Sequence, residues 1–217
     1  MNGNGFTGFN PQEVSNQIKI FNQYGEDVVH SIINALTTFH SQIKTAWYSP
    51  KAVEFGEKME ELAESRVWGL ETGYYNITVT ATKIYNIHAE ANGWQYLENP
   101  YKSGIHFMDR VSAYYSLEEI SPQGVVGMNK IVVETALSKL TAEMKNCIDK
   151  LHKTPYDIAI YDESGAQAAS YRAEIQALTN KFSESFDELI EIIKKQIETE
   201  SQTIQIASAN ATNTFTA

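Results

Sequence analysis

One apolar ladder occurs twice in this chain, 116 positions apart, and that duplication restricts the accessible folds more than any other feature. Ala52, Phe55, Met59, Leu62, Leu70, Ile77 and Ala81 recur at steps of three, four or their sums; the offset leads to Ala168, Tyr171, Ile175, Leu178, Phe186, Ile193 and Ile197. Such spacing lines one face of an α-helix. Each stripe has a charged back, so neither helix is stable alone in water and each must bury its stripe against a partner helix. The repeat predicts two helical hairpins.

The elements follow from punctuation along the chain. Met1 to Pro11, rich in Gly and Asn, reads as a mobile leader. A first helix is expected from about Gln12 to Trp47, through Val14, Ile18, Phe21, Val28, Ile32, Leu36, Phe39 and Ile43, with a break near Gly25. Pro50 disfavours helix at Ser49 and suits the first helical position itself, so Ser49 is read as the N-cap of a second helix. That helix, from Pro50 to about Ala91, would be roughly 60 Å long, with a kink near Gly69 to Gly73 and a stop at Asn92-Gly93. A third helix is expected from Met128 to Leu151, and a fourth, capped by Asp162 or Ser164, to about Ile206 with a frayed tail.

Between the halves, Trp94, Tyr96, Tyr101, Phe107, Tyr114 and Tyr115 form an aromatic connector, expected to be ordered and to hold one short helix. The reading is therefore all-α: two long antiparallel helical hairpins in an elongated four-helix bundle. Its parts are a first hairpin over 12–92, the connector over 93–127 and a second hairpin over 128–207.

Charge and composition remove several functions. With 17 basic and 27 acidic residues the formal net charge is -10, which opposes nonspecific binding to phosphate backbones, so no nucleic acid partner is expected. No apolar run approaches the roughly 20 residues that span a bilayer, so no stable membrane span is expected. The first residues lack the pattern of a cleaved signal peptide. Cys147 is the single cysteine and lies in a helical apolar pattern, where it reads as a small packed hydrophobe.

Chemistry-bearing constellations are not found. His30, His40, His88, His106 and His152 are scattered, without the helical pairing and acidic companion of a metal site. Glu57, Glu60, Glu61 and Glu64 read as a solvated face paired with Lys58 or Arg66. No nucleophile has a motif around it. The expectation is a noncatalytic protein with no catalytic residues, no metal and no cofactor.

The informative segment is Trp47-Tyr48-Ser49-Pro50-Lys51-Ala52-Val53-Glu54-Phe55. Trp47 either closes the mouth of the hairpin or lies exposed against a partner. Small Ala52 permits close helix approach and Phe55 fills the first layer. This arrangement resembles the WXG (ESAT-like) family, the small helical-hairpin proteins of type VII secretion, with Ser49 at the family's glycine position and Pro50 opening the second helix. The second half resembles a degenerate copy: Gly165, Ala168 and Tyr171 match Ser49, Ala52 and Phe55, Glu163 stands at the tryptophan position, and Tyr161 is the aromatic that could pack instead.

That resemblance implies a fused tandem whose two hairpins form a four-helix bundle within one chain, or hairpins that each pair with another chain, including a homodimer. Family substrates often carry a Tyr-x-x-x-Asp/Glu export element, and Tyr114 to Glu118 and Tyr115 to Glu119 have that spacing. The implied function is a noncatalytic type VII secretion-associated protein, either an exported substrate or the partner or chaperone of a larger effector. Its implied partners are the secretion ATPase, an effector or a related hairpin protein. It would be secreted without a cleaved signal peptide, or cytoplasmic before export. Two other classes share long helices: a membrane-active helical toxin component, for which Gly124 to Val133 is the one candidate tongue, and a structural or assembly protein such as a phage or filament subunit.

Overall fold

The computed structural model describes residues 8–100, 127–155, 160–161 and 166–215. The chain is all-α, with α1 (Pro11–Lys44), α2 (Pro50–Asn92), α3 (Lys130–His152) and α4 (Ala166–Phe215). Among the described residues, four two-residue strands accompany them: β1 (Gly8–Phe9), β2 (Trp47–Tyr48), β3 (Gly127–Met128) and β4 (Ile160–Tyr161).

Helix ends follow the capping residues. Asn10 Oδ1 accepts the amides of Gln12 and Glu13 at 3.1 and 3.2 Å, with Pro11 as the first helical residue. Ser49 Oγ accepts from Ala52 N at 3.1 Å ahead of Pro50, and Asn129 Oδ1 from Val132 N at 3.3 Å. These side chains satisfy amides that the first helical turn leaves unpaired. Gly93 ends α2 at φ +67°, with Trp94 N donating to Ala89 O and Gly93 N to Glu90 O, the double bond pattern of a Schellman cap.

Several expected boundaries are corrected. α1 stops at Lys44, so Trp47 belongs to a strand, and Met128 is likewise in a strand rather than in α3. α1 runs unbroken through Gly25, and α4 continues past Ile206 to Phe215. The leader is not loose throughout, because Gly8 and Phe9 pair antiparallel with Tyr161 and Ile160. The short connector helix around Ile105 to Tyr115 and the capping choice between Asp162 and Ser164 fall outside the described residues.

Two compact units divide the chain, and each draws on both halves of the sequence. The first takes its described residues from Met1–Ser31, Val67–His106 and Ile148–Glu184. Phe21 lies at its centre, 5.1 Å from the Tyr74 ring and 6.5 Å from Tyr171. The Tyr74 hydroxyl donates to Thr154 Oγ1 (2.8 Å), whose own proton goes to Leu151 O (2.6 Å), so the tyrosine is fixed at both ends. Burial of Tyr74 pushes its pKa up to about 12 and keeps that donor protonated.

The glycines of this unit are packing notches. A Cβ on Gly25 would sit 2.6 Å from two Tyr74 ring carbons, one on Gly73 would overlap Leu178 Cδ1, and one on Gly69 would press on Phe182 at 3.2 Å. Gly69 and Gly73 thus form a trough, one helical turn apart, that admits Leu178 and Phe182 of α4. For Gly25→Ala, the helix-propensity gain of about 1 kcal/mol is outweighed by overlap with a ring that cannot retreat. The expected result is a net loss of about 1–3 kcal/mol, read from urea denaturation. A more stable Gly25→Ala variant would refute the notch.

The second unit takes its described residues from Ile32–Arg66, Phe107–Cys147 and Ser185–Ala217. Here Phe39, Trp47, Phe55, Leu140 and Phe186 are buried. Arg66 does not pair within the acidic face of α2; its Nε donates to Ser185 O at 2.9 Å and its Nη2 lies 3.4 Å from Glu188.

The duplication is legible in the burial of each unit. At the 116-residue offset, Ala52, Phe55, Met59, Ala63, Val67, Leu70, Tyr74, Ile77, Ala81 and Tyr85 match Ala168, Tyr171, Ile175, Thr179, Ser183, Phe186, Ile190, Ile193, Ile197 and Ser201, and all are buried. Leu62 and Leu178 are both half-buried. α1 and α3 correspond at 119 instead: Val14, Phe21, Val28, Val29 and Ile32 match Val133, Leu140, Cys147, Ile148 and Leu151. Contacts repeat too, since Gly69 against Phe182 in the first unit has as its counterpart Ser185 against Arg66 in the second. At the positions of Gly25 and Tyr74 the second repeat has Met144 and Ile190, both buried.

Candidate functional site at the Trp47 turn

The turn between α1 and α2 lies within the second unit and is built from its backbone outward. After Lys44 the helix closes with Thr45 N to Gln42 O and Ala46 N to Ile43 O, a tightened last turn. Trp47 and Tyr48 then extend and pair antiparallel with Met128 and Gly127. Asn129 N donates to Ala46 O at 2.7 Å, so the residue that caps α3 also holds the end of α1. Gly127 has φ +155°, a conformation that L side chains rarely adopt.

Side chains complete the turn. Trp47 is fully buried, its ring 5.3 Å from Phe55, and Phe55 meets Phe39 edge-on at 6.5 Å. This resolves the two expectations for Trp47: it closes the fold from within and presents no ring to a partner. Ala52 is fully buried, as a close approach requires, and Tyr48 folds back so that its hydroxyl donates to Thr45 O at 2.8 Å. Trp47 Nε1 is buried without a hydrogen-bond partner among the described residues, a local cost of placing an indole there.

His40 is on α1, seven positions before Trp47. Its ring is buried, edge-on to Phe39 at 6.4 Å, and burial together with Lys44 lowers its pKa to about 4. On the outer face of α2, burial of Glu60, with Glu64 and Glu57 beside it, raises that carboxyl pKa. No group of three or more His, Cys, Asp or Glu residues suited to a metal ion occurs among the described residues.

The second turn repeats the plan with different residues. β4 pairs with β1 in the first unit, Ile160 opposite Phe9 and Tyr161 opposite Gly8. By this register Ile160 takes the place of Trp47 and Tyr161 that of Tyr48, so the second turn is three residues longer between strand and helix than the fixed offset implies. Ala168 and Tyr171 are buried at the start of α4, as Ala52 and Phe55 are in α2. Gly165 and the export-type residues Tyr114, Tyr115, Glu118 and Glu119 lie outside the described residues.

Each turn is therefore tied to the segment that leads into the other repeat. A short signal for this does stand in the sequence: Gly8-Phe9-Asn10 and Gly127-Met128-Asn129 are the same Gly-apolar-Asn triplet, 119 positions apart. In both, the first two residues form the strand and the asparagine caps the helix. Two-residue strands carry no alternation, so the triplet acquires meaning only beside its partner.

No described helix is long and apolar enough to cross a membrane. Compared with models of known protein families, with curated proteins and with solved structures, the chain matches none.

Proposed function

We infer that this chain is a noncatalytic tandem hairpin protein of the WXG kind, working within type VII secretion as an exported substrate or as the partner of a larger effector. The observation that carries the reading is the crossed pairing of turns and leaders, β2 with β3 and β1 with β4. In the family resembled, two hairpins commonly come from two chains; a duplicated chain whose repeats hold each other's turns is the fused counterpart. The Trp47–Phe55 contact, the Ser49-Pro50 start of α2 and the small Ala52 support the same reading. Fusion makes the association intramolecular, with an effective concentration in the roughly millimolar range for a suitable linker. The protein then acts by recognition, offering a surface to a secretion ATPase or an effector.

Export tests this directly. Tagged protein is followed in the culture supernatant of the native host, with and without the type VII secretion ATPase, beside a cytoplasmic lysis control. The expected result is extracellular protein that disappears only when the ATPase is absent. Equal amounts outside in both strains, or retention inside both, would overturn the reading of an exported protein.

A further inference from the structure

Past the cap at Gly93 the chain leaves α2 without regular secondary structure, and the Asn86 side chain fixes its path: Nδ2 donates to Leu97 O at 3.0 Å while Oδ1 accepts from Leu97 N at 2.8 Å. One primary amide thus satisfies both backbone groups of one residue. The held segment lines a cleft in the first unit, together with Gln12, Ser15 and Lys19 of α1 and the buried Tyr85 of α2. The three α1 residues recur at steps of four and three and so share one helical stripe. The cleft has a volume of about 660 Å³, within the range of small-molecule sites.

Three groups lining this cleft are left unmatched by the protein. Ser15 is 9% exposed, yet its hydroxyl has no hydrogen-bond partner among the described residues. Buried hydroxyls are ordinarily paired, so an acceptor or donor placed in the cleft would meet an unmet demand. The Lys19 ammonium and the Glu98 carboxylate are exposed to the same space, and neither forms an ion pair among the described residues, with each other or with any other side chain. A cation on α1 and an anion on the held segment, kept apart in one concavity, present complementary ends to a molecule that carries both charges.

The duplicated copy shows that the fold itself does not require this lining. The positions corresponding to Gln12, Ser15, Lys19 and Tyr85 are Ile131, Glu134, Ser138 and Ser201. The cation and the aromatic ring are therefore particular to the first repeat, where the segment held by Asn86 adds the carboxylate.

We propose that this cleft binds a small zwitterion of short-peptide size. Its carboxylate accepts from the Lys19 ammonium and the Ser15 hydroxyl, its ammonium donates to the Glu98 carboxylate, and its middle lies against Tyr85. Asn86 is a positioning residue here, because its hold on Leu97 sets where Glu98 stands. The site goes beyond the secretion reading and stands without it, since the test uses purified protein and no export.

The probe is triglycine, titrated into the full chain at neutral pH and followed by amide NMR. Two capped forms accompany it: triglycinamide, which lacks the carboxylate, and N-acetyltriglycine, which lacks the ammonium. The expected result is saturable shifts at Ser15, Lys19, Tyr85 and Glu98 with triglycine, and about tenfold weaker binding of each capped form. Lys19→Met should weaken triglycine about tenfold and leave triglycinamide unchanged, whereas Glu98→Gln should weaken triglycine similarly and leave N-acetyltriglycine unchanged. Lys19 and Glu98 are both exposed, so the variants keep the core intact. Absence of saturable shifts at these residues, or charge variants that weaken all three peptides alike, would overturn the proposal.

Discussion

Trp47→Ala will lower the unfolding free energy by about 3–5 kcal/mol, the range for deleting a fully buried aromatic ring. Trp47 is 0% exposed and rests on Phe55, which in turn meets Phe39, so the alanine leaves a void beneath the β2·β3 pair. The backbone pairing with Met128 opposes collapse of that void, which places the expected loss in the upper half of the range. Urea denaturation followed by far-UV circular dichroism measures it. Trp68, 62% exposed on α2, provides the comparison: Trp68→Ala should stay within about 0.5 kcal/mol of the parent chain. Equal midpoints for the two variants would mean that the Trp47 turn contributes nothing to stability and would remove the structural basis of the family resemblance.

Acidification supplies the second large effect. His40 is 1% exposed with Lys44 nearby, and its pKa is about 4 in the fold against 6.5 in the unfolded chain. Between these values the unfolded state binds more protons, so falling pH favours unfolding. The contribution of His40 is complete above about pH 6.5 and decreases as pH falls towards about 4, with about 2 kcal/mol lost by pH 5. His40→Leu keeps the apolar volume and removes the titration. Stability measured at pH 7 and pH 5 should therefore change less in the variant than in the parent chain by that amount. Parallel pH profiles for the two proteins would show that His40 is not the group responsible.

Much of the helical architecture was legible because its causes are local. The ladder from Ala52 to Ala81 and its copy bury the same rungs, and the half-buried pair Leu62 and Leu178 matches as well. Ser49-Pro50 and Asn92-Gly93 start and stop α2 through caps that involve only neighbouring residues. Gly25 was misread for the opposite reason. Gly25, Gly69 and Gly73 weaken a helix considered alone, yet each receives a side chain from another helix, and burying Tyr74, Phe182 or Leu178 there offsets the propensity cost. Trp47 lay between these cases: its chemistry announced an anchor, but only the surrounding Phe55 and Phe39 decided that the anchor faces inward.

By itself, the sequence determined four helices, the caps of α2 and which stripe of each helix is buried, apart from Val132, which is exposed where Val133 takes the core position, since periodicity and capping act within about one helical turn. Tertiary structure decided the rest. It decided that Gly-Phe-Asn and Gly-Met-Asn pair with the turn of the opposite repeat, and that each compact unit is assembled from pieces of both repeats. It also decided that the Asn86 amide is satisfied by the backbone of Leu97 in the segment that follows α2. These outcomes depend on which surfaces meet across a hundred residues or more, and strand pairing and shape complementarity have no signature in any one of the segments that form them.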